Sequence, residues 1–409
     1  MIASLRKAGY YTTTVSTFGE RHAAWWWYAG WNEVFNCGKG GAEIADEVTP
    51  NALAWIDKHA KEDDWFLHVN YWDSHTPYRT PEEFGNPFEN EPISDWYTEE
   101  LREQCFGGFG SHSAQELHSY PWELSADRKE KFPRIAMESL SSMNEVKKWI
   151  DGYDVGIRYA DYHVGKLIAA LKEKGIYEDL AIIVTSDHGE CQGELNVWGD
   201  HQSADDIICR VPLIISWPGK GSSQRVDTAL HHHFDWAATM LELAGASVPN
   251  NWDGESFADA FVKDEESGRE FLVTSQAAWA CQRGVRFDYG GKKFICLRTY
   301  HDGHKDMDRV MLFNLTDDPR EEHNLAEYEP AIVDLAMKYL AEWHHDQMLT
   351  ATSDIDPMVT VLREGGPFHT RGKLAKYVEV LRKSGREQHA QLLSNRHPDE
   401  LQEDYPYSS

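Results

Sequence analysis

Two spacings of apolar residues alternate along the first 262 positions. Val146, Ile150, Ile157, Val164, Leu167, Ile168 and Leu171 recur at helical spacing up to Gly175 and predict one long amphipathic helix or two joined ones. Short β-branched or apolar runs predict strands at 11–15 and 65–71, at 181–185, where the run fits a strand buried on both faces of a parallel sheet, and at 211–216, stopped by Trp217, Pro218 and Gly219. Residues 4–10 read as the last turn of a helix ended by Gly9, and Asp235 to Leu243 as a helix leading to Ala244 and Gly245. Helices alternating with apolar strands predict a layered α/β core. From about Asn90 to Ala136 few apolar positions are periodic, and a surface excursion is expected.

Beyond about residue 262 the pattern changes. Runs at 271–276, 283–288, 292–299 and 309–315, with Gly290-Gly291 as a hairpin signal, predict a small antiparallel sheet. From Pro330 onward the chain reads as helical and charged, ending in a polar tail at 405–409. The expected organisation is a catalytic α/β domain over 1–262, a small antiparallel β subdomain over 263–330 and a mainly helical extension over 331–409, with no internal repeat.

The 409 residues and 41% hydrophobic content suit a globular α/β protein with a sizeable core. Forty Lys and Arg against 68 Asp and Glu leave a net charge of -28, which argues against nucleic acid as a partner. An anionic substrate is also repelled at long range, so its site needs local Arg, His or metal charge. Six cysteines without a Cys-x-x-Cys pair read as free thiols. No apolar run reaches the roughly 18 to 20 residues of a membrane helix, and the first residues lack the apolar centre of a signal peptide.

The strongest chemical feature is Thr185-Ser186-Asp187-His188-Gly189-Glu190, directly after an apolar strand. Adjacent Asp and His at a strand's carboxyl end can reach one cation, and Gly189 lets the backbone turn close to it. The plainer alternative is a capping Asp beside a hydrogen-bonded His. Asp73-Ser74-His75-Thr76-Pro77-Tyr78 likewise follows a strand, where open α/β sheets place their chemistry. Trp25, Trp26, Trp27, Tyr28 and Trp31 offer flat faces for sugar rings, although core packing is expected of at least two. His231, His232 and His233 are consecutive, so their side chains diverge and no ligand role is assigned. In the turn-rich stretch 365–372, Arg371 is a candidate for an anionic substrate, against the ordinary role of a solvated loop residue.

Four signatures in order carry a family resemblance. Asp187-His188-Gly189-Glu190 is followed by Gly199-Asp200-His201, then by Arg210-Val211-Pro212 before an apolar strand and Trp217-Pro218-Gly219. Upstream, the 66–78 strand ends in His75-Thr76-Pro77-Tyr78, and downstream Leu312-Phe313-Asn314-Leu315 runs through Asp318-Pro319 to Asn324-Leu325. Over roughly residues 1–330 the chain resembles the formylglycine-dependent sulfatases of the alkaline-phosphatase superfamily. The resemblance implies a large mixed, mostly parallel sheet between helices with a small C-terminal antiparallel sheet. It also implies hydrolysis of sulfate esters, on a carbohydrate or another sulfated small molecule, by a formylglycine nucleophile beside a calcium ion. By matching motifs Asp187 and His188 become metal ligands, His75 binds sulfate and protonates the leaving alkoxide, and His201 is a second contact where many relatives carry Lys. Histidine suits either task because its pKa lies near neutrality. His22 and, less directly, Arg21 stand where relatives have Gly-Lys-Trp-His, whose Lys and His hold the formylglycine and the sulfate. Here the spacing differs and no Lys is present, so the resemblance implies a catalytic His22 and a substrate-binding Arg21, with a loop salt bridge as the alternative for Arg21. His188 departs from the Asn of many sulfatases, and its imidazole suits manganese or zinc better than calcium.

No cysteine here lies in the Cys-x-Pro/Ala-x-Arg motif that is oxidised to formylglycine, and the paired Asp residues of the family's first strand do not occur. The expectation is a chain lacking its N-terminal strand and inactive by itself. A full-length form needs a formylglycine-generating maturation enzyme, and its family context implies a periplasmic or extracellular location. The alternatives are a phosphodiesterase or phosphonate monoester hydrolase of the same superfamily, and a non-catalytic truncated chain.

Overall fold

The computed structural model describes residues 1–118, 132–222, 224–353 and 355–402, and eleven strands form among them. They are β1 (Tyr11–Val15), β2 (Glu33–Phe35), β3 (Trp65–Val69), β4 (Ile182–Thr185), β5 (Cys191–Gln192), β6 (Trp198–Asp200), β7 (Leu213–Ser216), β8 (Phe271–Gln276), β9 (Cys281–Tyr289), β10 (Lys292–His301) and β11 (Val310–Asn314). The chain divides into two units. The first comprises 1–92, 151–185 and 212–269; the second comprises 93–150, 186–211 and 270–409.

In the first unit β2, β1 and β3 form a parallel sheet in that order. The period of two in β3 sends Leu67 and Val69 to one face, where Val15, Val48, Ala52, Trp55 and Ile56 pack, and Phe66 to the other, beside Leu5, Trp236 and Leu241. The helix Ala45–His59 covers the first face because Val48, Ala52, Trp55, Ile56 and His59 share one stripe, while Asp46 and Glu47 sit at its N-terminal dipole. The periodic stretch ending before Gly175 is a single helix, Met143–Glu173.

The strand at 182–185 differs from expectation. β4 pairs antiparallel with β7, not within a parallel ladder, and its second half is exposed. Ile182 and Ile183 each pack into an apolar cluster, but Val184 and Thr185 leave them. An apolar run reports the chance of burial; the direction of the pairing partner decides the ladder.

In the second unit the antiparallel sheet runs β11-β10-β9-β8. Gly290 and Gly291, both at positive φ, close the two-residue turn between β9 and β10, where a residue with a Cβ is strained. Alternation in β10 buries both faces. Phe294 and Cys296 meet Tyr339 and Leu340 of the helix Pro330–Thr350, while Ile295 and Leu297 meet Met307, Met311 and Phe313. The helices Leu374–Lys383 and Glu387–Arg396 pack through Tyr377, Leu381 and Leu393 around Phe109. Within the expected irregular stretch a helix forms at Glu99–Gly107, with Thr98 accepting from the Leu101 N–H as its cap. Residues 119–131 of that stretch, and the tail at 405–409, lie outside the described residues. The six cysteines are free thiols, and among the described residues no helix is long and apolar enough to cross a membrane.

Candidate active site

The predicted residues fall into two groups, one in each unit. In the first unit a buried indole, Trp72, organises three of them. The Arg21 guanidinium lies over its ring at 4.9 Å, and the rings of His22 and His75 stand 6.1 and 6.0 Å from it. Arg21 and His22 come from the short helix Phe18–Arg21 and its end, after β1; His75 comes from the loop after β3. β1 and β3 are parallel neighbours, so the loops at their carboxyl ends meet as open α/β sheets require. Burial pushes the Arg21 guanidinium down from its ordinary pKa, with Glu43 opposing the shift. His75 Nδ1 lies 2.6 Å from its neighbour's carbonyl, Thr76 O, which fixes the ring's tilt.

Beside His75 lies Asp73, fully buried. Its Oδ1 accepts the Ala45 N–H at 3.1 Å, so it holds the loop to the first turn of the helix Ala45–His59. Burial pushes its carboxyl up to about 7, against that hydrogen bond and the nearby Arg79. Trp27 and Trp31 pack inward against Phe18, Phe66 and His68, whereas Trp25 and Trp26 are 79% and 71% exposed.

In the second unit Asp187 and His188 leave the end of the 182–185 strand together. His188 Nδ1 donates to Gly189 O at 2.8 Å, which leaves Nε2 of the neutral ring as the unprotonated nitrogen, and Nε2 lies 3.8 Å from Asp187 Oδ1. An imidazole whose Nδ1–H is fixed on a backbone carbonyl and whose Nε2 stands beside a carboxylate is a donor set for a divalent metal, so these residues fit the ion that the family resemblance implies. A Cβ on Gly189 would stand 2.2 Å from Ile207 O; only glycine permits this approach.

His201 meets His188 face to face, with ring centroids 3.8 Å apart and planes at 23°. The buried Asp200 steadies it, because Oδ1 accepts the His201 backbone N–H at 2.7 Å and lies 3.2 Å from its Nδ1. The other oxygen, Oδ2, accepts from Gln202 at 2.9 Å and lies 3.1 Å from His112 Nε2. Burial alone would raise Asp200, but His112, His201 and Gln202 outweigh it and hold the carboxyl at about 2. Burial pushes His112 down to about 4 and also lowers His201.

Sequence reasoning passed over Asp200, His112 and Trp72. Asp200 was legible as the acidic neighbour of a motif histidine. His112, 88 positions upstream of it, carries no local signal. His231 to His233 do not converge on a common point: the His232 N–H caps onto Asp235, and His233 Nε2 lies 3.1 Å from Thr185 Oγ1. Asp235 is structural, gripped by Arg269 through both oxygens at 2.6 and 2.8 Å. Arg371 is turned onto its own loop, donating to Gly366 O and pairing with Glu364.

Comparison with known proteins follows the same lines. The chain is 28% identical over 327 residues to the choline-sulfatase of Rhizobium meliloti (strain 1021), covering 76% of this chain and 58% of that protein. It thus spans under two thirds of that relative's length. Its fold is similar to a solved structure in complex with its substrate D-glucosamine-2-N,6-O-disulfate, with a TM-score of 0.66 at 17% identity over 86% of this chain and 82% of the other. Its fold is also similar to that of a phosphonate monoester hydrolase from Silicibacter pomeroyi, with a TM-score of 0.63 at 19% identity over 88% of this chain and 81% of the other. The family described as N-sulphoglucosamine sulphohydrolase, C-terminal, matches residues 193–346. The family described as Sulfatase matches residues 1–246, and with the motif residues gathered as above, the chain belongs to the sulfatase family.

Proposed function

We propose that this protein hydrolyses sulfate esters carried on a carbohydrate. The observation that carries the proposal is the meeting of His188 and His201, thirteen positions apart, at 3.8 Å in a chain of the sulfatase family. A sulfate ester presents three oxygens that need positive or hydrogen-bonding partners and an alkoxide that needs a proton on departure. His75 supplies that proton and a contact to sulfate, Arg21 and His22 bind sulfate oxygens, and His201 is a further contact held by Asp200. Asp187 and His188 hold a divalent ion, calcium by family or manganese or zinc by donor chemistry. When bound, the ion neutralises sulfate oxygens and lowers the pKa of the attacking hydroxyl. The nucleophile is a formylglycine whose precursor motif this sequence does not contain, produced in a full-length form by a maturation enzyme. The carbohydrate is supported by the exposed Trp25 and Trp26 faces beyond Arg21 and His22, and by the glucosamine disulfate bound in the similar fold.

A phosphonate or phosphodiester substrate is the second reading, favoured by the His188 imidazole and the fold similarity to a phosphonate monoester hydrolase. The test is a side-by-side assay of the matured protein on a sulfated glucosamine, an aryl sulfate and an aryl phosphonate. Sulfate release that His75→Ala abolishes is the expected result. Faster cleavage of the phosphonate than of either sulfate sinks the sulfatase assignment.

A further inference from the structure

The turn-rich stretch at 365–372 is built onto the same frame as His201. Gln276 Nε2 donates to His201 O at 2.9 Å, while its Oε1 accepts the N–H groups of Ala277 and Ala278 at 2.9 and 2.8 Å. Ala278 O in turn accepts the His369 N–H at 2.9 Å. The next residue, Trp279, stacks face to face on the His369 ring at 4.4 Å and 22°, and meets His112 edge-on at 5.5 Å. His112 lies against Asp200, so a continuous series of contacts joins His188, His201, Asp200, His112, Trp279 and His369 within one unit.

Such anchoring of a loop residue has a chemical use only if its remaining edge meets something. The Trp279 stack occupies one face of His369 and the backbone hydrogen bond fixes its root, yet the residue stays partly exposed, beside Phe368 at 72% exposure. Arg371, the obvious cation of this loop, is tied to Gly366 O and Glu364. An imidazole edge beside an exposed aromatic ring is the chemistry that recognises a sugar: a hydrogen bond to a hydroxyl and an apolar face for ring C–H groups.

We propose that residues 367–373 form a substrate-recognition element of this site, in which His369, held on Trp279, hydrogen-bonds a hydroxyl of the sulfated sugar and Phe368 lines the same subsite. The proposal rests on the carbohydrate sulfatase assignment and extends it to a specificity-determining residue. Burial lowers the His369 pKa, with Asp200 opposing and Lys373 reinforcing the shift. The neutral ring then carries one donor and one acceptor, which matches a hydroxyl.

The experiment is calorimetric titration of the chain and its His369→Ala and His369→Gln variants with glucosamine 6-sulfate, and separately with inorganic sulfate. Loss of one neutral hydrogen bond predicts that His369→Ala weakens the sugar sulfate by ~3- to 10-fold. Inorganic sulfate binding is unchanged, and His369→Gln, which keeps a donor and an acceptor, recovers most of the loss. Unchanged sugar affinity in His369→Ala, or equal loss for both ligands, overturns the proposal. Wild-type binding of inorganic sulfate without the sugar overturns it while leaving the sulfate chemistry standing. Binding of neither ligand overturns the proposal for this chain, while sulfate release by the matured protein decides the carbohydrate sulfatase assignment separately. Thermal melting of each variant separates these outcomes from misfolding, since the His369 backbone contact survives either substitution.

Discussion

Glu400 is the residue whose replacement tests the electrostatics of the second unit most sharply. Its Oε1 lies 2.9 Å from His301 Nε2 and 3.0 Å from His397 Nδ1, and its Oε2 lies 2.9 Å from His304 Nε2. Asp302 Oδ1 takes the other nitrogen of His397 at 2.7 Å, and Arg396 reaches Asp302 Oδ2 at 3.2 Å. Three histidines and two carboxylates have the composition of a metal site, but His301 Nδ1 accepts the Gly303 N–H at 3.0 Å, so its Nε2 carries the proton and donates to Glu400. The cluster is therefore a proton-bound clamp that fixes the 396–401 segment to the 301–305 turn. Burial alone would lower the His397 pKa; Asp302 and Glu400 outweigh it and raise it from 6.5 to about 9. A rise of that size is worth about 3 kcal/mol. Because the folded pKa is raised, this stability is fully present below pH 6.5 and is lost as pH rises through 9. Glu400 and Asp302 are held below their ordinary values, so their share is present above pH 4.5 and is lost as pH falls toward their folded pKa values. Glu400→Gln leaves His397 with one carboxylate and turns an amide N–H toward a histidine N–H, costing about 3 to 5 kcal/mol. Hydrogen exchange of the helix Glu387–Arg396, corrected for intrinsic rates and converted to an opening free energy, measures both effects. A wild-type opening energy that stays flat between pH 6.5 and 9, or a Glu400→Gln loss under about 1 kcal/mol, refutes the clamp.

Three other outcomes are expected. Asp235→Asn breaks the two-point grip of Arg269 and weakens acceptance of the His232 and Glu255 N–H groups, lowering stability by about 3 kcal/mol in thermal or urea unfolding. Gly156→Ala places a Cβ 2.4 Å from Asp73 O, so it destabilises by about 1 to 3 kcal/mol and displaces the loop carrying His75; a crystal structure with that loop unmoved contradicts this. Calorimetry of the chain after chelator treatment is expected to show one divalent site, weakened by either Asp187→Ala or His188→Ala; preference for calcium supports the sulfatase reading, and preference for manganese or zinc the phosphonate one. Binding that both variants leave intact places the ion elsewhere.

Residues whose role is set by neighbours in the chain were legible in the sequence. Val146, Ile150 and Leu171 announce their buried stripe through helical spacing, Gly290-Gly291 announces its hairpin, and the apolar run before Asp187-His188 announces a strand. These are local consequences of periodicity, turn sterics and donor chemistry. Tertiary structure alone decided that β4 pairs antiparallel with β7, because hydrogen-bond direction depends on which strand arrives beside it. It also decided that Trp72 gathers Arg21 and His22 beside His75, that Asp200 joins His112 to His201, and that Glu400 collects His301 and His304 from a distant turn beside its near neighbour His397. Each of these depends on contacts between residues tens of positions apart. A side chain's type sets what it can bind, but burial and long-range packing choose its partner and, through that partner, its charge.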